Sequence, residues 1–197
     1  MGQRSQIYIR YNKKVIVANY YQWNYGDRMI SRARYGLEHL KYYLDNGFNW
    51  YFENSRDVEK IRRYFDVNFD YKDIVMSCNI INEYKEYKND DENFCDFAFK
   101  GQDNNDGVLL IDIETKEKTS FNKQEYSLKY CFASYDLDVP INATDYMNWD
   151  YESWQTSEYI SDELKNLCKD NIKEIEKFEM MNLQEFEEFI STNDFME

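Results

Sequence analysis

Residues 5–22 read SQIYIRYNKKVIVANYYQ, and this stretch decides how the fold begins. Apolar side chains alternate with polar ones on both sides of a polar centre at Asn12 and Lys13. The alternating apolar residues are Ile7, Ile9, Tyr11, Val15 and Val17. This is the pattern of two half-buried strands joined by a tight turn, so we predict a β-hairpin over these residues.

Helices are predicted to follow the hairpin. Asp27 can cap a helix that runs to about Asp45, with one apolar stripe at three- and four-residue spacing. The stripe is formed by Ile30, Ala33, Leu37, Leu40 and Leu44. A short helix capped by Ser55 comes next, and another is predicted over about 70–84. The segment DIVMSCNII, residues 73–81, also fits a strand, so that alternative stays open.

The second half of the chain begins with strands and ends with helices. Strands are predicted at 95–99, 108–113 and 126–133, where apolar and β-branched residues alternate or run together. Helical patterns follow in three segments, the last of which opens with a capping box. They begin near Asn142, Ile160 and the Asn182–Glu185 box.

These elements indicate an α+β fold: an antiparallel sheet of about five strands covered by helices, with an acidic helical C-terminal segment. We predict an α+β domain over residues 1–135 and a helical extension over 136–197 packed on it.

Charge is distributed unevenly along the chain. Residues 1–63 carry a net charge of +6 and residues 64–197 a net charge of −20, which together give the total of −14. A separation of this size bears on the choice of partners and not on the fold. The excess of carboxylates disfavours direct nucleic-acid binding, because a polyanion is repelled at long range.

Composition excludes several classes of site. One His and four widely spaced Cys offer no paired metal ligands, and one Pro and six Gly leave no glycine-rich phosphate loop. We expect no cofactor and free thiols in a reducing, cytoplasmic setting. No apolar run is long enough for a membrane span, and the first ten residues lack the apolar region of a signal peptide.

A basic group lies on the first predicted helix. Arg28 and Arg32 are four residues apart and share a helical face that Tyr35 continues. With the nearby tyrosines, these side chains could bind an anion by charge and stacking. The alternative is internal pairing of these arginines with the acidic remainder of the chain, and the total charge favours that alternative.

An acidic group in the middle of the chain is the candidate for partner binding. Carboxylates spaced along a surface can imitate the phosphates of a nucleic acid and so enter the basic groove of a protein that binds one. Tyrosine can anchor such a contact. The predicted partner-binding residues are Tyr87, Asp90, Asp91, Glu92, Asp103, Asp106, Glu114 and Glu117. An ordinary solvated acidic surface is the alternative.

A metal site is a second interpretation of part of this group. Asp112 and Glu114 share one face of the strand at 108–113, and Asp106 precedes it. Carboxylates that converge in this way can hold magnesium in a nuclease or phosphoesterase. Solvent-facing carboxylates on an edge strand are the competing explanation.

The segments QIYIRYN and VIVANYYQWNYGDRMISRARY, within residues 6–35, resemble uncharacterised small proteins of phages and prophages in low-GC bacteria. The resemblance covers the first third of the chain and supplies no catalytic residues. It implies, by analogy with small acidic phage proteins, an inhibitor of a host defence nucleoprotein, of the anti-CRISPR type.

Three hypotheses for function follow. The first is a non-enzymatic inhibitor that binds a basic, nucleic-acid-binding host protein through an acidic, Tyr-rich surface. The second is the magnesium-dependent nuclease or phosphoesterase. The third is a self-associating structural protein, in which the basic first third of one copy meets the acidic remainder of the next.

Overall fold

The computed structural model of the chain describes residues 3–74, 77–87, 91–103, 105–116 and 125–197. It confirms the N-terminal hairpin and its turn. Asn12 and Lys13 both have positive φ, at 47° and 69°, as a tight two-residue hairpin turn requires.

A six-stranded mixed sheet, in the order β5-β2-β1-β6-β7-β8, forms the centre of the molecule. The strands of this sheet are β1 (Arg4–Tyr11), β2 (Lys14–Gln22), β5 (Ser77–Asn79), β6 (Val108–Thr115), β7 (Tyr126–Ala133) and β8 (Glu179–Met180). A separate two-stranded sheet joins β3 (Val67–Asn68) to β4 (Asp73–Ile74). The α+β class is confirmed in outline, but the prediction of a purely antiparallel sheet is wrong. β1 runs parallel to β6, and β7 runs parallel to β8.

Helices cover both faces of the sheet. They are α1 (Asp27–Asp45), α2 (Ser55–Asp66), α3 (Ile80–Tyr87), α4 (Ala143–Asp150), α5 (Asp162–Ile175) and α6 (Leu183–Ile190). A 3₁₀ turn at Asn49–Phe52 and a π-helical turn at Asp96–Lys100 add to them. The helices of the described residues are too short or too polar to cross a membrane.

The sheet separates two hydrophobic cores. Ile7 and Ile9 of β1 face one core, together with the apolar stripe of α1 and buried residues of α2, α4 and α5. Tyr8, between them, faces the second core, which α3, the π-helical turn and α6 close. β1 is therefore buried on both faces, as expected for a strand with neighbours on both edges and helices above and below.

Two predicted elements have a different structure. The strand predicted at 95–99 is a π-helical turn, because Phe94, Ala98 and Phe99, at spacings of four and five residues, are buried while Cys95 and Phe97 are half-buried. The helix predicted over 70–84 begins only at Ile80, and β4 and β5 precede it, so the strand alternative for residues 73–81 holds in part.

The predicted C-terminal helices and their caps are confirmed. Asn142 accepts a hydrogen bond from the backbone N–H of Asp145, and Asn182 and Glu185 form the predicted capping box. Ser161 caps α5, which therefore starts two residues later than its apolar pattern suggests. The division at residue 135 stays a prediction. All four cysteines are free thiols, two buried and two half-buried.

Candidate partner-binding surface

The basic charge of the hairpin is largely paired with the acidic remainder of the chain. Arg10 is buried, with 2% of its surface exposed. Its Nε and one terminal nitrogen each donate to a different oxygen of Asp112, at 2.8 Å. The other terminal nitrogen donates to the Glu188 carbonyl and to the Thr192 hydroxyl, at 3.2 and 3.0 Å. This pair ties β1 to β6 and to α6.

Three further hairpin cations contact carboxylates from the second half of the chain. Arg4 forms an ion pair with Asp103, and its backbone N–H donates to Asp106. Lys13 lies between Glu114, at 3.1 Å, and Glu188. Lys14 lies 3.8 Å from Asp194. The basic side chains of the hairpin are therefore paired within the chain, which is the alternative to an anion site.

The predicted anion-binding group is not assembled. Arg32 is 2% exposed, and it donates to the Phe65 carbonyl at 2.9 Å and to Asn24 Oδ1 at 2.6 Å. Its burial under α2 leaves an external anion no access to the guanidinium. Tyr35 donates to Asp70 at 2.9 Å, and the Arg28 guanidinium lies 4.4 Å from the centre of the Tyr71 ring.

The carboxylates of the metal hypothesis do not converge. Arg10 holds both oxygens of Asp112, and Lys13 pairs with Glu114. Asp106 precedes β6, six residues before Asp112, which corresponds to about 20 Å of extended chain. Within the described residues, no group of three or more His, Cys, Asp or Glu side chains is placed to hold a metal ion.

The predicted partner-binding residues are spread over several places. Tyr87 and Asp91 are exposed near the end of α3, and Glu92 is half-buried. Asp103, Asp106 and Glu114 have the internal partners given above, and Glu114 lies at the far end of β6 from Asp106. Asp90 and Glu117 lie outside the described residues. A role for this set in binding stays a prediction.

A different part of the chain is rich in carboxylates and contains no basic side chains. Residues 130–164 contain eight Asp and Glu and not one Lys or Arg. They fold as the end of β7, α4, a series of turns and the start of α5. In the described part of the chain, the only ion pair made by these carboxylates joins Asp162 to Lys165, at 3.7 Å. We call the surface of residues 135–163 the acidic face.

Large aromatic side chains project from the acidic face. Tyr135 is 54% exposed, Trp149 is 37% exposed and Tyr159 is 97% exposed. The Tyr135 and Trp149 rings lie 6.3 Å apart, and Trp149 packs beside the buried ring of Tyr146. The buried Trp154 fixes the turns after α4 to the core. The face therefore combines negative charge with anchored rings.

A cleft of about 400 Å³ opens where the start of α1 meets the end of α4 and the start of α5. Its wall includes four tyrosines, which are Tyr25, Tyr71, Tyr151 and Tyr159. Three carboxylates also line it, which are Asp27, Asp106 and Asp150. The backbone N–H of Gly26 donates to Asp150 Oδ2 at 2.5 Å and so holds the end of α4 against the start of α1.

The cleft carboxylates are less acidic than ordinary ones. Burial, and next the neighbouring charge of Asp106, raise the pKa of Asp150 to about 7. Burial also raises the pKa values of Asp27 and Asp106. A cationic group that entered the cleft would favour the ionised carboxylates and lower these pKa values. The cleft therefore offers carboxylates to an ammonium or guanidinium group, beside the Arg28 guanidinium that already lines it.

We expect stability to depend on the protonation of Asp150. Its pKa in the folded state lies above the unfolded value of about 3.9, so its protonation favours the folded state at low pH. That contribution is complete below pH 4 and is lost as the pH rises towards 7. Asp150→Asn should therefore reduce the fall in stability between these pH values, as measured by denaturant unfolding.

Asp106→Asn should lower the pKa of Asp150, because it removes the neighbouring charge that favours protonation. Carboxyl NMR titration measures this shift directly. The exposed Asp138→Asn variant is the control for loss of one negative charge. An Asp150 carboxyl that titrates near pH 4 in the wild-type protein would contradict this description of the cleft.

Sequence reasoning missed the acidic face because it followed carboxylates near predicted turns and strands. The informative signal was the absence of Lys and Arg over 130–164, which single motifs do not display. Comparisons with protein-family models, curated proteins and solved structures found no match.

Proposed function

We propose that this chain is a non-enzymatic binding protein, of the phage anti-defence type, that covers the nucleic-acid-binding surface of a basic host protein. The observation that carries the proposal is the acidic face, whose carboxylates make a single ion pair in the described part of the chain, with the exposed rings of Tyr135, Trp149 and Tyr159. The proposed contact surface is formed by residues 135–163, and not by the residues that the sequence predicted.

Charge explains how such a surface would find its partner. The hairpin cations are held in internal pairs, so they do not neutralise the acidic face. A negative surface accelerates association with a positive one and repels free nucleic acid. A groove that evolved to hold phosphates presents Lys and Arg at its surface, which are the groups that these carboxylates would bind.

The aromatic rings would supply the short-range part of the contact. Tyr and Trp are enriched among the residues that dominate binding energy, and Arg is their frequent partner. A guanidinium can stack on a tyrosine ring while a carboxylate accepts its hydrogen bonds. The cleft offers both, with Tyr151 and Tyr159 beside Asp150.

A titration with a synthetic arginine-rich peptide tests the surface. One triple variant removes three exposed carboxylates of the acidic face: Asp138→Asn, Glu152→Gln and Glu158→Gln. The matched control removes three exposed carboxylates elsewhere: Asp91→Asn, Asp170→Asn and Glu187→Gln. Both variants change the net charge by the same amount, so only the position of the lost charge differs.

We expect the first variant to bind the peptide about tenfold more weakly by calorimetry, from three solvent-exposed ion pairs of at most about 0.5 kcal/mol each. The control variant should lose much less affinity for the peptide. Tyr159→Ser should weaken binding with no change in charge. Equal losses in the two triple variants would show that the peptide responds to net charge alone, and the proposal would fail.

The anti-defence role needs a second measurement with a natural partner. A host protein captured by the wild-type chain, and not by the acidic-face variant, should bind nucleic acid when it is alone. This chain should then displace a labelled oligonucleotide from it in a competition assay. Simultaneous binding of the oligonucleotide and this chain would overturn the inhibitory mechanism.

A further inference from the structure

A second surface, formed by nine rings in continuous contact, lies along α1 and the segments packed against its C-terminal half. We call it the ring strip. It consists of Tyr35, His39, Tyr42, Tyr43, Phe48, Trp50, Tyr51, Tyr64 and Phe69. None of these residues belongs to the acidic face, and the proposed function does not use them.

The ring strip is held in place before any partner arrives. His39 stacks on Tyr64 with ring centres 3.6 Å apart and planes 3° from parallel. Its other neighbour is Tyr43, at 4.6 Å, and Tyr43 in turn lies 4.4 Å from Tyr51. Trp50 stacks on Tyr51 at 4.1 Å. Rings fixed by one another lose little conformational freedom when a partner packs on them.

Four of the rings present large apolar surfaces to solvent. Tyr42 is 59% exposed, Trp50 is 49% exposed, Phe69 is 41% exposed and Phe48 is 36% exposed. Contiguous apolar patches of this kind mark interaction surfaces in soluble proteins, whereas scattered single residues do not. The contacts between rings make this a contiguous patch.

The charges around the ring strip are balanced. Residues 34–72 contain seven Lys and Arg and seven Asp and Glu, in a chain whose total is −14. Those beside the rings are paired within the same helix, as in Lys41 with Asp45 and Lys60 with Asp57. His39 is neutral at pH 7, since burial lowers its pKa to about 4. An apolar centre with a neutral polar rim is the anatomy of a protein–protein interface.

Charge also selects the kind of partner. A single-stranded nucleic acid needs a positive groove beside its stacking platform, and this surface has no net charge. A basic protein would be drawn to the acidic face instead. A second copy of this chain is repelled by the acidic face. The ring strip has no net charge, so a second copy is not repelled there.

The length of α1 separates these two surfaces. The helix has 19 residues, and its rise from Asp27, at the cleft, is about 12 Å to Tyr35, at the near end of the ring strip, and about 22 Å to Tyr42. At physiological ionic strength charges are screened beyond about 8 Å. Repulsion between the acidic faces of two copies is therefore weak when the copies meet through their ring strips.

We propose that two copies of this chain associate through their ring strips in a two-fold symmetric contact, with Trp50 and Tyr42 as the central anchors. The contact is isologous, because one surface serves both copies. This self-association differs from the electrostatic one considered from the sequence. It depends on apolar surface, so added salt leaves it unchanged or strengthens it.

Sedimentation equilibrium at low and high ionic strength tests this proposal. The wild-type chain should form a reversible dimer that salt does not dissociate. The variant Tyr42→Ser/Trp50→Ser should weaken dimerisation at least about tenfold, since it truncates two central anchors. The control, Tyr135→Ser/Tyr159→Ser, also removes two exposed aromatic rings and should leave dimerisation unchanged.

A charge variant gives a second test that does not depend on the folding of the double variant. Trp50→Glu places like charges near each other across the symmetry axis and should give a monomer with an unchanged far-UV circular dichroism spectrum. The proposal is overturned by a wild-type monomer at every concentration, by dissociation in salt, or by equal effects of the ring-strip and control variants.

Discussion

Arg10→Ala should destabilise the fold by about 3–5 kcal/mol, because it leaves the carboxylate of Asp112 buried without a counter-charge. Asp112 is only 7% exposed, and both of its oxygens accept hydrogen bonds from Arg10. The substitution also removes the hydrogen bonds to Glu188 and Thr192 and the contact with the Phe189 ring. Urea unfolding measures the loss.

The double variant Arg10→Met/Asp112→Leu separates two contributions to this loss of stability. One is the loss of the ion pair, and the other is the cost of leaving the Asp112 carboxylate buried without a partner. Apolar residues of similar size can replace a buried ion pair at little cost. We therefore expect the double variant to recover most of the stability that Arg10→Ala loses. If Arg10→Ala were as stable as the wild-type protein, the buried pair would not join the hairpin to the rest of the chain as described.

Phe65→Ala should cost a similar amount, about 3–5 kcal/mol, because it removes a ring from the centre of the α1–α2 contact. Phe65 is 1% exposed. Its ring fills the space above Gly36 so closely that a Cβ on residue 36 would lie 2.2 Å from Phe65 Cε1. The absence of a side chain at residue 36 is thus matched to the presence of a ring at residue 65.

This match predicts that the effect of Gly36→Ala on stability has opposite signs in the wild-type protein and in the Phe65→Ala variant. In the wild-type protein, Gly36→Ala should be destabilising, because overpacking costs about 1–3 kcal/mol and exceeds the gain in helix propensity. In the Phe65→Ala background the space is free, so the same substitution should stabilise by up to about 1 kcal/mol. A double-mutant cycle measured by urea unfolding gives both values. The same sign in both backgrounds would contradict the packing described here.

Local patterns predicted much of the architecture. The Asn12–Lys13 turn, the apolar stripe of α1 and the Asn182–Glu185 capping box each depend on neighbours a few residues away, and each was found where the sequence indicated. The parallel pairing of β1 with β6 joins residues about a hundred positions apart. No local pattern encodes such a pairing, since hairpin strands give the same alternation whatever lies on their other edge.

The polar residues of β1 misled the prediction for a physical reason. Gln6 and Arg10 mark a solvent-facing side in a two-layer fold, but here both are buried beneath the second layer of helices. Arg10 is accommodated by Asp112, and the Tyr8 hydroxyl donates to the Ala98 carbonyl and lies 2.9 Å from the side-chain amide of Gln6. A buried polar side chain looks like an exposed one in the sequence until its partner is known.

The sequence indicates the chemical character of the candidate site but not its position in the fold. Total charge and tyrosine content indicated an acidic, aromatic surface. Its position depends on which carboxylates the hairpin cations bind, and that is a tertiary property. The ring strip was not predicted, because the rings of α1 and those of residues 48–51 and 64–69 come together only in the folded chain.

Hydrogen exchange of the chain with and without a saturating arginine-rich peptide tests the central claim most directly. The turns at 151–161, between α4 and α5, lack regular hydrogen-bonded structure and should exchange rapidly in the free protein. We predict that the peptide slows exchange there and at the end of α4, and leaves α6 and the ring strip unchanged. Slowed exchange confined to α6 or to the ring strip, with residues 135–163 unaffected, would contradict the assignment of the acidic face as the partner-binding surface.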